Sequence, residues 1–333
     1  MEYKPPAKIR RTSSLDTNTL VFVDQELSSY HRPQCKCTKI GRYLKKNCNT
    51  DCRSKLPQSC PLAHKWCHMS KLPPNRSEIY HQLSLVNIDS EKYRKYIEQI
   101  EIDLTRTFPD IEYFTTGQGV DSMRRVLKAF VKYHYQLGYV QGMNYIVCAL
   151  LWHACEVDAF WLLVVIMDEY KLRENYLFRF PGLTKHCELT ELLLSLYMPK
   201  LYSHFSNHCI MVQMFATDWY LTIFTSLVPI ESSSWVFNSF FKDGWIFIYK
   251  FLMTIMERLE DQLLKKNDRI DMLSLIKPIE LVNNDSKKFL VSLQKRRETL
   301  TWEKLIESSN KKTIDKRHIE NFLQNYQMEI FVE

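Results

Sequence analysis

Two short segments of this chain carry side chains whose types and spacing could do chemistry. The first is Ile100-Glu101-Ile102-Asp103-Leu104-Thr105-Arg106-Thr107-Phe108-Pro109. On a helix Asp103 and Arg106 stand three residues apart, so the carboxylate can hold the guanidinium in one orientation. A planar guanidinium bridges two oxygens in a fixed fork, which a lysine cannot copy. The second segment is Gly138-Tyr139-Val140-Gln141-Gly142-Met143-Asn144. Here a neutral amide, able to donate one hydrogen bond and accept another without changing charge, lies between two glycines whose bare backbone lets a partner come near. Singly, neither is decisive. An Arg in a last helical turn usually caps carbonyls or pairs with an acid, and a Gln near a helix start is usually solvated or capping.

The elements that must position these residues read as helices. Only 7 glycines occur among 333 residues, and four of them (Gly117, Gly119, Gly138, Gly142) lie in one short stretch. No long run alternates apolar and polar residues, so the pattern favours an all-α, multi-helix array. Tyr93, Ile97, Ile100 and Leu104 fall on one helical face, with Asp89 or Ser90 placed as a cap and Pro109 as the stop. A second helix is predicted from near Asp121 or Ser122, burying Met123, Val126, Leu127 and Phe130 and ending at Gly138. A third is predicted from Gly142 to Cys155, with more to about Lys277, broken at Phe180-Pro181-Gly182, Pro199, Pro229 and Asp243-Gly244.

Charge and composition divide the chain. Residues 1–55 hold 12 Lys/Arg and 5 Asp/Glu, which accounts for the whole net charge of +7. They read as a flexible, basic, Cys-containing arm, and any attraction to an anionic membrane belongs there. The domain proper spans 56–282 and is followed by a charged but periodic extension, 283–333, expected to form two or three peripheral helices. Because the charge beyond the arm is balanced, no nucleic acid is expected as a partner. The longest apolar stretches, Tyr145–Cys155 and Ala159–Met167, fall short of the roughly 20 residues a membrane span needs. With no secretory signal at the N-terminus, a cytoplasmic protein with 10 reduced cysteines is expected, with peripheral association with endomembranes through the arm. Cys35, Cys37, Cys48 and Cys52, near His31 and His64, have a spacing unlike common zinc fingers or ribbons, so no metal is assigned to them.

Together, Ile100…Asp103…Arg106 and Tyr139-Val140-Gln141-Gly142 resemble the IxxDxxR and YxQG motifs of the TBC family of Rab GTPase-activating proteins. Similar stretches continue at Met123-Arg124-Arg125-Val126-Leu127, Asp158-Ala159-Phe160-Trp161 and Trp219-Tyr220-Leu221-Thr222-Ile223-Phe224. The resemblance implies a helical activator of a Rab-type small GTPase in its GTP-bound state, working in vesicle trafficking. It assigns Arg106 as an arginine finger and Gln141 as a glutamine finger, with Asp103 orienting Arg106 and Thr107, Tyr139, Gly142 and Asn144 shaping the backbone. It also implies no cofactor of the chain's own, since GTP and Mg²⁺ belong to the partner.

The sequence departs from that family in a third motif, usually Arg-x-Trp-Asp. Here Trp235 stands for the arginine, Phe237 for the tryptophan and Asn238 for the aspartate, and these three become candidate partner-binding residues. The start is also altered, with Leu56-Pro57-Gln58-Ser59-Cys60-Pro61 in place of the family's Arg-Gly pair. The missing charges suit an alternative reading, a catalytically weak Rab-binding scaffold. A stand-alone hydrolase finds no support, for the sequence has neither a nucleophile elbow nor a phosphate loop.

Overall fold

The computed structural model describes residues 61–85, 91–277, 285–295 and 298–330. These form sixteen α-helices, and among the described residues there is no strand. In chain order they are α1 (Pro61–Met69), α2 (Arg76–Leu85), α3 (Glu91–Arg106), α4 (Glu112–Thr115), α5 (Gln118–Tyr133), α6 (Met143–Leu151), α7 (Glu156–Asp168) and α8 (Pro181–Tyr197). Then follow α9 (Pro199–Asn207), α10 (Gln213–Thr222), α11 (Ser233–Asp243), α12 (Trp245–Leu263), α13 (Arg269–Ile276), α14 (Asp285–Ser292), α15 (Trp302–Lys311) and α16 (Lys316–Ile330). No helix among the described residues is long and apolar enough to cross a membrane.

Helix character follows hydrophobic pattern. α5 is amphipathic, and the predicted Met123, Val126, Leu127 and Phe130 are all fully buried. α6 and α7 are apolar nearly all round and form the centre of this half of the molecule, which α5 crosses. α12, the longest helix, packs on α11, α13 and α15, while α8 gathers α9, α10 and a 3₁₀ turn at Leu172–Asn175. The extension continues the core: Leu293, Leu305 and Ile306 are fully buried, and Arg258 of α12 grips Glu298 at 2.8 Å.

Several boundaries differ from the sequence-based expectation. α3 stops at Arg106, three residues before Pro109; Phe108, directly before the proline, takes a left-handed φ of 47°, and the Thr107 hydroxyl turns back to the Asp103 carbonyl (2.5 Å). α5 begins at Gln118, so Asp121 lies in its first turn instead of capping it, and it ends at Tyr133. The chain then makes a turn in which the Gly138 N–H reaches the His134 carbonyl at 2.8 Å. α6 ends at Leu151, and a separate helix, α7, starts at Glu156. Pro181 and Pro199, read as breaks, each occupy the first turn of a new helix, where the missing N–H costs nothing. Asp89 and Ser90, and the arm at 1–55, lie outside the described residues.

Candidate functional site

The C-terminal end of α3 carries the arginine. Asp103 is completely buried, whereas the Arg106 side chain is 48% exposed, and the two are ion-paired through Arg106 Nη2 and Asp103 Oδ1. A buried carboxylate is costly unless its oxygens are satisfied. Oδ1 also accepts from Gln99 Nε2 at 3.1 Å, one turn back, and Oδ2 accepts from the Tyr139 hydroxyl at 2.5 Å. Burial, followed by the Asp103 carboxylate, pushes the Tyr139 phenol far above its ordinary pKa, so it remains a donor at any working pH. The outcome is a fixed anion that holds the inner edge of the guanidinium and leaves its outer edge to solvent.

The same tyrosine begins the glutamine segment. Gln141 lies two residues on, exposed in the turn that opens α6. Gly142 follows with φ 108°, a left-handed value that glycine alone adopts freely. A Cβ there would meet nothing closer than Thr222 Cγ2 at 3.5 Å, so the demand at this position is conformational, not one of space. Gly138 combines both, with φ 70° and a missing Cβ that would overlap the Tyr96 ring of α3. Asn144 then locks the loop. Its Oδ1 accepts from the Gly142 N–H at 2.9 Å, and its Nδ2 donates to Thr107 Oγ1 at 2.7 Å. The arginine end and the glutamine loop are therefore joined twice, by Tyr139–Asp103 and by Asn144–Thr107.

The structure thus brings Arg106, Asp103, Thr107, Tyr139, Gly142 and Asn144 into one hydrogen-bonded unit beside the exposed Gln141. It adds residues that the sequence reading missed. Gln99 is at i−4 from Asp103, so helical spacing alone could have found it. Tyr145 stacks edge-on against Phe108 (5.4 Å between centroids) and lies within the fields of Arg106 and Asp218. Asp218 of α10 is paired with Lys277, 59 residues away, and no local signal announces that. Surface pairs steady the α3 platform from outside: the Nε–H of Arg124 of α5 is shared between both carboxylate oxygens of Glu101 at 3.0 Å, and Lys128 adds a further contact at 3.0 Å.

The third motif goes elsewhere. Phe237 is fully buried against Trp66 of α1, and Asn238 accepts from Trp66 Nε1 at 2.7 Å. Trp235 is half-buried and packs against the core. Truncating a side chain like Phe237 typically costs about 3–5 kcal/mol of stability, so its place in the structure is that of a clamp between α11 and α1, not of a surface contact. Cys35, Cys37, Cys48 and Cys52 lie outside the described residues, and among the described residues no cluster of His, Cys, Asp and Glu is arranged to hold a metal ion.

Comparison with known proteins supplies the family. The model of the Rab-GTPase-TBC domain matches residues 63–264, more than half of the chain and inclusive of both motif segments. The chain belongs to the Rab-GTPase-TBC domain family. This TBC chain is 27% identical over 301 residues to mouse TBC1 domain family member 2B, an alignment covering 87% of this chain and 31% of that protein. It is 33% identical over 189 residues to the Rab GTPase-activating protein eat-17 of Caenorhabditis elegans, covering 56% and 20% respectively. It therefore spans well under half the length of either relative. Its fold is shared with the Chlamydomonas flagellar RabGAP TBC domain (TM-score 0.58, 22% identity, 83% of this chain and 84% of that one). It is likewise shared with the Ypt/Rab-GAP domain of Gyp1p (TM-score 0.54, 19% identity, 77% and 95%).

Proposed function

We propose that this TBC chain stimulates GTP hydrolysis by a Rab-type small GTPase in its GTP-bound state, using Arg106 and Gln141 together. One observation carries the reading: a half-exposed guanidinium anchored on a buried carboxylate that is hydrogen-bonded to the loop presenting an exposed amide. GTP hydrolysis by small GTPases is slow because charge building on the transferring phosphoryl group is incompletely neutralised and the attacking water is loosely held. An arginine supplied from outside contributes roughly 10³–10⁵-fold in rate. Arg106 fills that role through its outer N–H groups. Gln141, neutral and unpaired with any charge, orients the water by accepting a hydrogen bond from it and donating one to an oxygen. Nucleotide and Mg²⁺ come with the partner.

The alternative, a binding scaffold with little activity, drew its support from the missing charges of the third motif. With Phe237 and Asn238 engaged by Trp66, those substitutions serve packing between α1 and α11, which favours the activator. The deciding experiment is a GTP-hydrolysis screen of the full chain against a panel of purified Rab-type GTPases. Stimulation of at least one, lost in Arg106→Ala, is expected. Binding to GTP-loaded partners without any stimulation would establish the scaffold instead.

A further inference from the structure

A short turn beside the glutamine loop has no role in that proposal. After the 3₁₀ segment Leu172–Asn175, Tyr176 is buried and donates its hydroxyl to the Leu221 carbonyl, while Asn175 Nδ2 reaches the Tyr220 carbonyl at 3.4 Å. Leu221 and Thr222 are the residues that lie nearest to where a Gly142 Cβ would be, at 3.7 and 3.5 Å. The anchor of this turn thus shares its footing with the loop that presents Gln141. On the far side Gly182 packs so tightly on Glu174 and Asn175 that a Cβ would overlap the Asn175 side-chain oxygen. Between these two fixed points Leu177, Phe178, Arg179, Phe180 and Pro181 are all exposed, and Phe178 is 89% accessible.

The turn is also strained. It is closed by the Phe180 N–H on the Leu177 carbonyl at 2.8 Å, and both Arg179 (φ 64°) and Phe180 (φ 52°) occupy left-handed backbone that bulky residues rarely adopt. A rigid, doubly anchored turn that holds an aromatic out into water works against both backbone and hydrophobic preferences. Outliers of this kind concentrate where a protein binds something. The composition agrees, since an aromatic tip with an Arg over its ring (5.6 Å) is what buried interface centres enrich.

We infer that the Leu177–Phe180 turn is a second docking element for the same GTPase, inserting Phe178 into an apolar depression on the partner beside its nucleotide site and setting affinity, not turnover. This rests on the activator reading above, because the argument for the occupant is continuity: the turn is anchored on Leu221, which also lies against the Gly142 backbone of the loop presenting Gln141, so a protein whose nucleotide lies over Arg106 and Gln141 has this turn at the edge of its footprint. A lipid surface is the less suited occupant. The turn itself carries one basic residue, the neighbouring Lys185 is paired with Glu174 at 2.8 Å and Arg173 faces Asp168 at 3.9 Å, so beside Arg179 only the exposed Lys171 adds charge for anionic headgroups, far short of a polybasic cluster.

The test uses the full chain and a panel of purified Rab-type GTPases, with steady-state hydrolysis measured as GTPase concentration is varied and binding measured with partners loaded with a non-hydrolysable GTP analogue. Phe178→Ala should raise KM and weaken analogue-state binding by the same factor, roughly 5- to 30-fold for an interface anchor. Its kcat and melting temperature should stay at wild-type values, and Phe178→Trp should restore most of the affinity. Arg106→Ala should do the reverse, lowering kcat with little change in binding. Unchanged KM and binding in Phe178→Ala, with stimulation intact, would overturn the docking element while leaving the site reading standing. So would a variant that loses only its binding to phosphatidylcholine–phosphatidylserine vesicles, which would mark a lipid contact. A wild-type chain that neither binds nor stimulates any member of the panel would overturn both.

Discussion

Replacing Tyr139 with Phe removes a single oxygen and tests whether the arginine and glutamine segments form one device. The ring keeps its packing, but Asp103 Oδ2 loses the donor now 2.5 Å away, and the carboxylate is completely buried, so water cannot take the donor's place. Hydrogen bonds to charged groups contribute about 1.5–3 kcal/mol. For a domain of this size each kcal/mol corresponds to about 2–4 °C in melting temperature, so a fall of about 3–12 °C is expected. The catalytic effect should be larger than that destabilisation explains. With Oδ2 unsatisfied the carboxylate can rotate toward the guanidinium, shifting Arg106, and a displacement on the order of 1 Å costs about 10²-fold in a positioned reaction. Stimulated hydrolysis, measured well below the melting transition, should fall in kcat by roughly 10- to 100-fold with KM for the GTPase unchanged. If Tyr139→Phe lowered stability as expected yet stimulated as well as wild type, the bond would be structural only and the coupling of the two segments would be refuted.

Arg106→Lys keeps the charge but loses the planar fork, so stimulation should drop by roughly 10²-fold or more, with melting unchanged because the side chain is half exposed; a fully active lysine variant would refute the finger assignment. Gln141→Ala should depress kcat without altering the melting temperature, and the wild-type chain should still stimulate a GTPase whose own catalytic glutamine is mutated; complete loss in that pairing would mean that Gln141 does not position the water. His186 is buried, stacked at 3.7 Å on Trp245 and hydrogen-bonded to the Tyr249 hydroxyl at 2.6 Å, and burial, with help from Lys185, holds its pKa well below 6.5. Because the unfolded chain then takes up a proton that the native state refuses, stability should fall below about pH 6.5 at up to about 1.4 kcal/mol per pH unit from this residue. Urea melts from neutral to mildly acid pH should show a steeper slope in wild type than in His186→Gln, which keeps only the slope of groups such as Glu156 and Glu101, whose carboxyls, against burial, are held low by Arg125 and by Lys128 with Arg124. Deleting residues 1–55 should leave solution activity intact and abolish salt-sensitive binding to anionic vesicles; equal vesicle binding by both forms would exclude the membrane role.

The sequence made the arginine and glutamine segments visible for a simple reason: both depend on residues close together in the chain. Asp103 and Arg106 are neighbours on a helix, and they do pair; the glycines flanking Gln141 do mark unusual backbone. What periodicity could not reveal were bonds across large separations, such as Tyr139 to Asp103 over 36 residues or Asn144 to Thr107 over 37. The same limit misdirected the reading of Phe237 and Asn238. Judged against a charged motif they looked like lost partner contacts, but their company is Trp66, more than 170 residues earlier, and only the folded packing discloses it. Some helix boundaries shifted as well. Pro109 acts as expected through the residue before it, since Phe108 leaves the right-handed region, and Gly244 ends α11, but α3 already stops at Arg106 and α5 stops at Tyr133, five residues before Gly138.

That division also bears on how an anchored arginine can still act on a partner. A guanidinium has five N–H donors, and the Asp103 contact engages one nitrogen on the buried edge, so most donors remain free at the surface. Holding it there removes rotamer freedom of roughly 2 kcal/mol before the partner arrives, a cost a free surface arginine would incur in the complex. The carboxylate does not cancel the advantage, since its second oxygen is already occupied by Tyr139 and it cannot follow the guanidinium outward. Positive potential is therefore displaced toward solvent, where a phosphoryl group would accumulate charge. Tyr139 accordingly does two things at once: it keeps Asp103 in place as a fixed counter-ion, and it sets the backbone from which Gln141 projects. A substitution that loosens the Arg106 end should loosen the Gln141 loop as well, so double-mutant cycles between Asn144 and Tyr139 should show non-additive losses in kcat, and additive ones would mean that the two bridges act independently.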